Sequence, residues 1–108
     1  MNKLVQLKDN GKITPNVFVG VDVHNLLYED NSGYNAKYYT ATQDCFMTIT
    51  GWGEGDVRID DVTLFHTYNS QSPYMTMYSC MLKKGQEVHY GDYGRNSENL
   101  KIYGLKYL

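Results

Sequence analysis

Three histidines, His24, His66 and His89, are the side chains of this 108-residue chain best suited to proton transfer or metal ligation. None stands at a metal-ligand spacing from another. His66 and His89 fall at the ends of predicted strands and could meet in space. Glu54, Asp56, Asp60 and Asp61 form an acidic cluster of the oxygen ligands that calcium takes. It lacks the Asp-x-Asp-x-Asp-Gly loop, so turn chemistry is the expected role. Cys45 and Cys80 are the only thiols, and no Cys-x-x-Cys exists to hold zinc or run thioredoxin-like exchange. Each lies in a predicted strand, and spacing alone leaves their pairing open. No Gly-x-Ser-x-Gly elbow supports a nucleophilic triad, and no spacing singles out a carboxylate pair for glycoside hydrolysis. The chain reads as a non-enzyme with no cofactor.

Binding chemistry is better represented. Eleven tyrosines stand against three phenylalanines and one tryptophan. Tyrosine favours strands and surfaces with one apolar and one wet end. Trp52 sits in a glycine-flanked stretch, residues 51–56. Two readings compete: it folds back over Met47 and Ile49, or it stacks on a sugar ring. Tyr68, Tyr74, Tyr90 and Tyr93 lie at or beside predicted loops, with Asn69, Asp92 and Asn96 as hydrogen-bonding neighbours. Together with Trp52 they form the candidate ligand surface. Their clustering at one end of the fold is an expectation only.

The elements that would hold these residues are strands. Cys45, Met47 and Ile49 alternate with Phe46, Thr48 and Thr50, which gives one apolar and one mixed face. Val57–Ile59 and Val62–Phe65 read as a hairpin about Asp60-Asp61, because Asp tolerates the left-handed conformation. Tyr74–Leu82 alternates again, Lys83–Gln86 turns the chain, and Glu87–Tyr90 and Leu100–Leu105 supply the last strands. Val17–Val23 is β-branched enough for another. Residues 24–37 show no convincing period: Leu26-Leu27-Tyr28 could form one helical turn, and Glu29-Asp30-Asn31-Ser32-Gly33 reads as a polar loop. Seven or so short strands with turn signals roughly every 8–12 residues predict an all-β, antiparallel, jelly-roll-like β-sandwich. Its expected core is Cys45, Met47, Ile49, Val57, Ile59, Val62, Leu64, Leu82, Val88, Leu100 and Ile102. Residues 1–16 read as a link or edge hairpin turning at Asn10-Gly11, and residues 17–108 as the head domain.

Charge and hydropathy limit the partners. A net charge of −2 with 20% charged residues offers no basic field for nucleic acid. No apolar run approaches the roughly 18 residues that span a bilayer. The opening Met1-Asn2-Lys3-Leu4-Val5 lacks the apolar stretch of a signal peptide, so synthesis in a cytosol is expected. Residues 74–81 carry apolar or tyrosine side chains on both faces, more than one small core absorbs, and another chain is the expected cover.

Several phrases together resemble a known family. Tyr39-Thr40-Ala41-Thr42-Gln43-Asp44-Cys45 is similar to the opening of small β-sandwich modules at the C-termini of phage tail-fibre and related receptor-binding tail proteins. Leu82-Lys83-Lys84-Gly85-Gln86 resembles the turn of those modules, and Leu100-Lys101-Ile102-Tyr103-Gly104-Leu105-Lys106 their closing strand. Lys3–Gly11 looks like the link that precedes such heads. Met81 departs from the usual proline, and Asp60-Asp61 from the commoner Asn-Gly. The resemblance covers most of residues 38–108. It implies a head at the tail tip of a virion, made in the bacterial cytoplasm and often a homotrimer, that recognises a host cell-surface glycan or protein. A trimerising or capping module with no ligand of its own is the alternative, and neither brings catalytic residues.

Overall fold

The structure, a computed structural model, describes residues 17–31, 36–67, 75–91 and 96–108, with backbone only at 96 and 97. The expected link at residues 1–16 lies outside the described residues. Cys45, Met47 and Ile49 are fully buried and Phe46, Thr48 and Thr50 half-buried, so the alternation read from sequence is the alternation of the strand. Eight strands follow in chain order: β1 (Phe18–Asp30), β2 (Lys37–Thr40), β3 (Cys45–Trp52), β4 (Gly55–Ile59), β5 (Val62–Thr67), β6 (Thr76–Leu82), β7 (Glu87–Tyr90) and β8 (Asn96–Tyr107).

They form two antiparallel sheets, ordered β1-β8-β3-β6 and β2-β7-β4-β5. The first strand pairs with the last, the second with the seventh, the third with the sixth and the fourth with the fifth. That is a long antiparallel ribbon folded over on itself, the eight-stranded jelly-roll arrangement. Inward residues of both sheets meet in one core. Cys45, Met47, Ile49, Leu82, Leu100 and Ile102 come from the first sheet, and Val57, Ile59, Val88 and Tyr90 from the second. A stacked aromatic pair closes each lateral side. Tyr28 of β1 lies on Tyr39 of β2 at 4.8 Å, and Phe65 of β5 on Tyr78 of β6 at 5.3 Å.

Two expected core residues are not core. Val62 and Leu64 are 57% and 48% exposed. Val57 pairs with Phe65 but Arg58 with Thr63, so Leu64 is the extra residue of a bulge and Phe65 takes the inward position. Val62 does lie opposite the buried Ile59, but β5 is an edge strand.

Residues 24–30, which show no strand period in the sequence and read as a candidate helical turn and the start of a polar loop, are strand. Asp22 pairs with Gly104 and Leu26 with Tyr103, so Val23, His24 and Asn25 bulge out without a partner on β8. Three inserted residues erase the period-two pattern by which a strand is recognised. Gly104 answers the bulge: a Cβ there would meet the Asn25 amide nitrogen at 2.5 Å. β8 also starts earlier than expected, at Asn96. The Asp60-Asp61 turn is as expected. Both residues have positive φ, 48° and 66°, the two-residue turn whose twist matches a hairpin.

Candidate functional site

Outward residues of the second sheet form a polar and aromatic track. Register sets Tyr38 of β2 opposite His89 of β7, His89 opposite Arg58 of β4, and Arg58 opposite Thr63 of β5. Paired residues share a face, and Arg58 alternates with the buried Val57 and Ile59, so this row faces outward. The Tyr38 ring lies flat on the His89 imidazole, 4.5 Å away at an angle of 9°. Tyr38 is 59% exposed while His89 is buried beneath it. The tyrosine is therefore a ring supported from beneath and more than half exposed.

Beside it, two residues along β4, Asp56 is buried and accepts from Arg58 Nε at 3.3 Å. Opposite Asp56, His66 sets Nδ1 3.9 Å from the Asp56 carboxylate and Nε2 3.4 Å from that of Glu54. A buried carboxylate needs such partners, since an isolated one would cost several kcal/mol. His66 and His89 thus share a face, flanking β4 on either side. Among the described residues no group of three His, Cys, Asp or Glu is placed to hold a metal ion. The acidic cluster read from sequence divides: Glu54 and Asp56 serve this track, and Asp60 and Asp61 serve the turn. Asp60 Oδ1 accepts from the Glu87 amide at 3.0 Å.

The predicted ligand residues are placed as follows. Trp52 ends β3, opposite Asn96 of β8, and is half-buried. Alternation puts it on the same face as Phe46, Thr48 and Thr50, turned away from Met47 and Ile49, so it does not fold back over the core. The expected loop at 51–56 is a two-residue corner at Gly53-Glu54. The Thr67 hydroxyl pins it, donating to the Gly53 carbonyl at 2.7 Å while accepting from the Gly55 amide at 3.1 Å. Tyr90 is 2% exposed, and its hydroxyl donates to Asp30 Oδ2 at 2.7 Å. A ring packed in the core has no face to offer a ligand, so Tyr90 leaves the candidate surface. Tyr68, Asn69, Tyr74, Asp92, Tyr93 and the side chain of Asn96 lie outside the described residues. Trp52 and Tyr90 are therefore not brought together.

Tyr38 was missed, although a signal was present. Adjacent tyrosines in a strand point to opposite faces, so one of Tyr38 and Tyr39 had to look outward.

The first sheet presents a different outer face. Leu26, Tyr103, Phe46 and Met81 form an apolar row across all four strands. Met77 and Met81 on β6 are 67% and 48% exposed. At one end of the sandwich β8 runs past the start of β3, leaving a groove of about 440 Å³ lined by Phe18, Met81, Leu82, Leu105 and Tyr107. Both cysteines are free, with burial holding each thiol above its ordinary pKa and so in the unreactive neutral form. Comparison with models of known families, with curated proteins and with solved structures finds no match.

Proposed function

We propose that this chain is a receptor-binding head of the tail-fibre kind, which recognises a host cell-surface glycan or protein without chemistry of its own. The observation that supports it is the exposed Tyr38 ring laid on His89. Sugar rings present apolar C–H faces that suit a fixed aromatic platform. Arg58, Glu54 and His66 stand along the same track with hydrogen-bonding groups for hydroxyls. Supported by a sheet, the platform is held rigidly, which lowers the entropy lost on binding. The tail tip of a virion is where such a head would act.

A capping or assembly module without a ligand is the second reading. The apolar row and exposed methionines of the first sheet favour it, since protein surfaces use such patches for protein contact. The two readings separate on cells. Fluorescently labelled protein is expected to bind its host or a member of a glycan array, and Tyr38→Ala to lose that binding while keeping its fold. Absence of wild-type binding to every host surface would leave the capping reading standing.

A further inference from the structure

Among the described residues the sandwich has four edge strands, and three of them are blunted. β1 carries register shifts around Val19, Val23–Asn25 and Leu27, and β5 carries the Leu64 bulge. β2 is only four residues long and bears Lys37. Short length, bulges and charge are the devices by which sheets avoid pairing edge to edge. β6 has none of them. It matches β3 residue for residue over its seven residues without a shift, and it contains no charge, proline or glycine. Among the described residues no strand pairs with the other side of Met77–Met81.

We propose that β6 is the edge at which a second copy of this chain docks, antiparallel, about a two-fold axis at Ser79. That register sets Met77 of one copy against Met81 of the other, Tyr78 beside Cys80, and Ser79 against its own equivalent. Large apolar side chains meet each other, and the smallest residue lies on the axis. Charge decides for this edge: like charges directly opposite are destabilising, and here there are none to oppose. The same operation on β1 would bring in Asp22, Glu29 and Asp30, and on β2 Lys37.

One strand falls short of the roughly 800 Å² per partner that a stable interface buries. The neighbouring edge supplies more. Phe65 stacks on Tyr78 and holds β5 alongside β6, where Val62 and Leu64 stand exposed. The pair would share a continuous eight-stranded sheet, in place of the three-fold cluster that the family resemblance implies. The inference does not depend on the adhesive reading, because a structural cap would use the same edge.

Light scattering of the full chain at micromolar concentration tests it. Wild type is expected at twice the 12.4 kDa chain mass. Ser79→Lys and Ser79→Glu are each expected to be monomers, since two like charges then face each other across the axis. An equimolar mixture of the two is expected to pair again. Ser79 is exposed, so both variants keep the sheet signal in circular dichroism. Should either fail to fold, Met77→Lys sets an unpaired charge against Met81 of the other copy and is likewise expected to be a monomer. A wild-type monomer or trimer overturns the proposal, as does a Ser79→Lys chain that pairs like wild type. A mixture that stays monomeric removes the axis from Ser79 and overturns it too.

Discussion

The Tyr90 hydroxyl donates to Asp30 Oδ2 at 2.7 Å, tying the last residue of β7 to the last of β1 across sixty positions of sequence. Lys37 Nζ lies 2.9 Å from the same oxygen, so one carboxylate gathers a strand of the first sheet and two of the second. Much of the lateral closure on this side rests on Asp30, together with the Tyr28–Tyr39 stack.

Removing the hydroxyl is therefore expected to loosen the join between sheets. Hydrogen bonds to charged groups contribute about 1.5–3 kcal/mol. Tyr90→Phe keeps the ring in the core and should lose an amount in that range. Urea titration at neutral pH measures it, and a variant as stable as wild type would show that the Tyr90 bond to Asp30 contributes nothing net.

The same bond sets a pH dependence. Burial raises the Tyr90 pKa most, and the hydrogen bond and negative charge of Asp30 raise it further, so the folded state holds the proton well above the ordinary value of 10.0. Burial also raises Tyr39 and Tyr78. When the pH passes 10, the unfolded chain ionises these groups more readily than the folded chain, and Tyr90 most of all. The stabilisation from Tyr90 is thus fully present below pH 10 and falls above it, by up to about 1.4 kcal/mol per pH unit. The thiols of Cys45 and Cys80, raised by burial, start a loss of the same sign from about pH 9. Tyr90→Phe should show a shallower alkaline fall than wild type in urea titrations between neutral pH and pH 11. Parallel falls in the two proteins would remove Tyr90 as a cause.

Where the alternation was unbroken, the sequence was legible. Cys45–Thr50 and Val57–Ile59 each turned the expected face inward, because residues two apart must share a side. Bulges hid the rest. Leu64 and Val23–Asn25 shift the phase by one and three residues, and nothing local records a shift that only the partner strand defines. Edge position hid Val62, which pairs as expected but is not covered. For the site, Tyr90 read as loop-side from its neighbour Gly91, while its burial depends on Asp30, which sequence cannot bring near. Tyr38 needed only the parity argument applied to a tyrosine pair.

The Asp60-Asp61 turn offers a contrast between neighbours with the same residue type. Both hold left-handed φ, a conformation that costs a side chain and suits glycine. Asp61 is exposed and among the described residues no side-chain bond holds it, so Asp61→Gly is expected to stabilise by about 0.5–1 kcal/mol, a net of strain relieved and chain entropy lost. Asp60 accepts from the Glu87 amide, so Asp60→Gly gives up that bond and should gain nothing. Thermal melts of both variants decide it. Equal shifts would mean that the Asp60–Glu87 bond contributes nothing net.

Trp52 and Tyr38 lie on opposite outer faces, and this lets the single tryptophan report which face a receptor uses. A glycan seated on Tyr38 touches the second sheet only, with the core between it and Trp52. Binding is then expected to leave both Trp52 emission and its quenching by acrylamide unchanged. Tyr38→Phe keeps the ring and should keep binding. Tyr38→Ala removes it and should weaken binding at least tenfold, about 1.4 kcal/mol. Trp52→Ala should bind like wild type if it folds. The reverse pattern, with Trp52 shielded by ligand and Tyr38→Ala binding normally, would move recognition to the first sheet, where it would compete with pairing along β6.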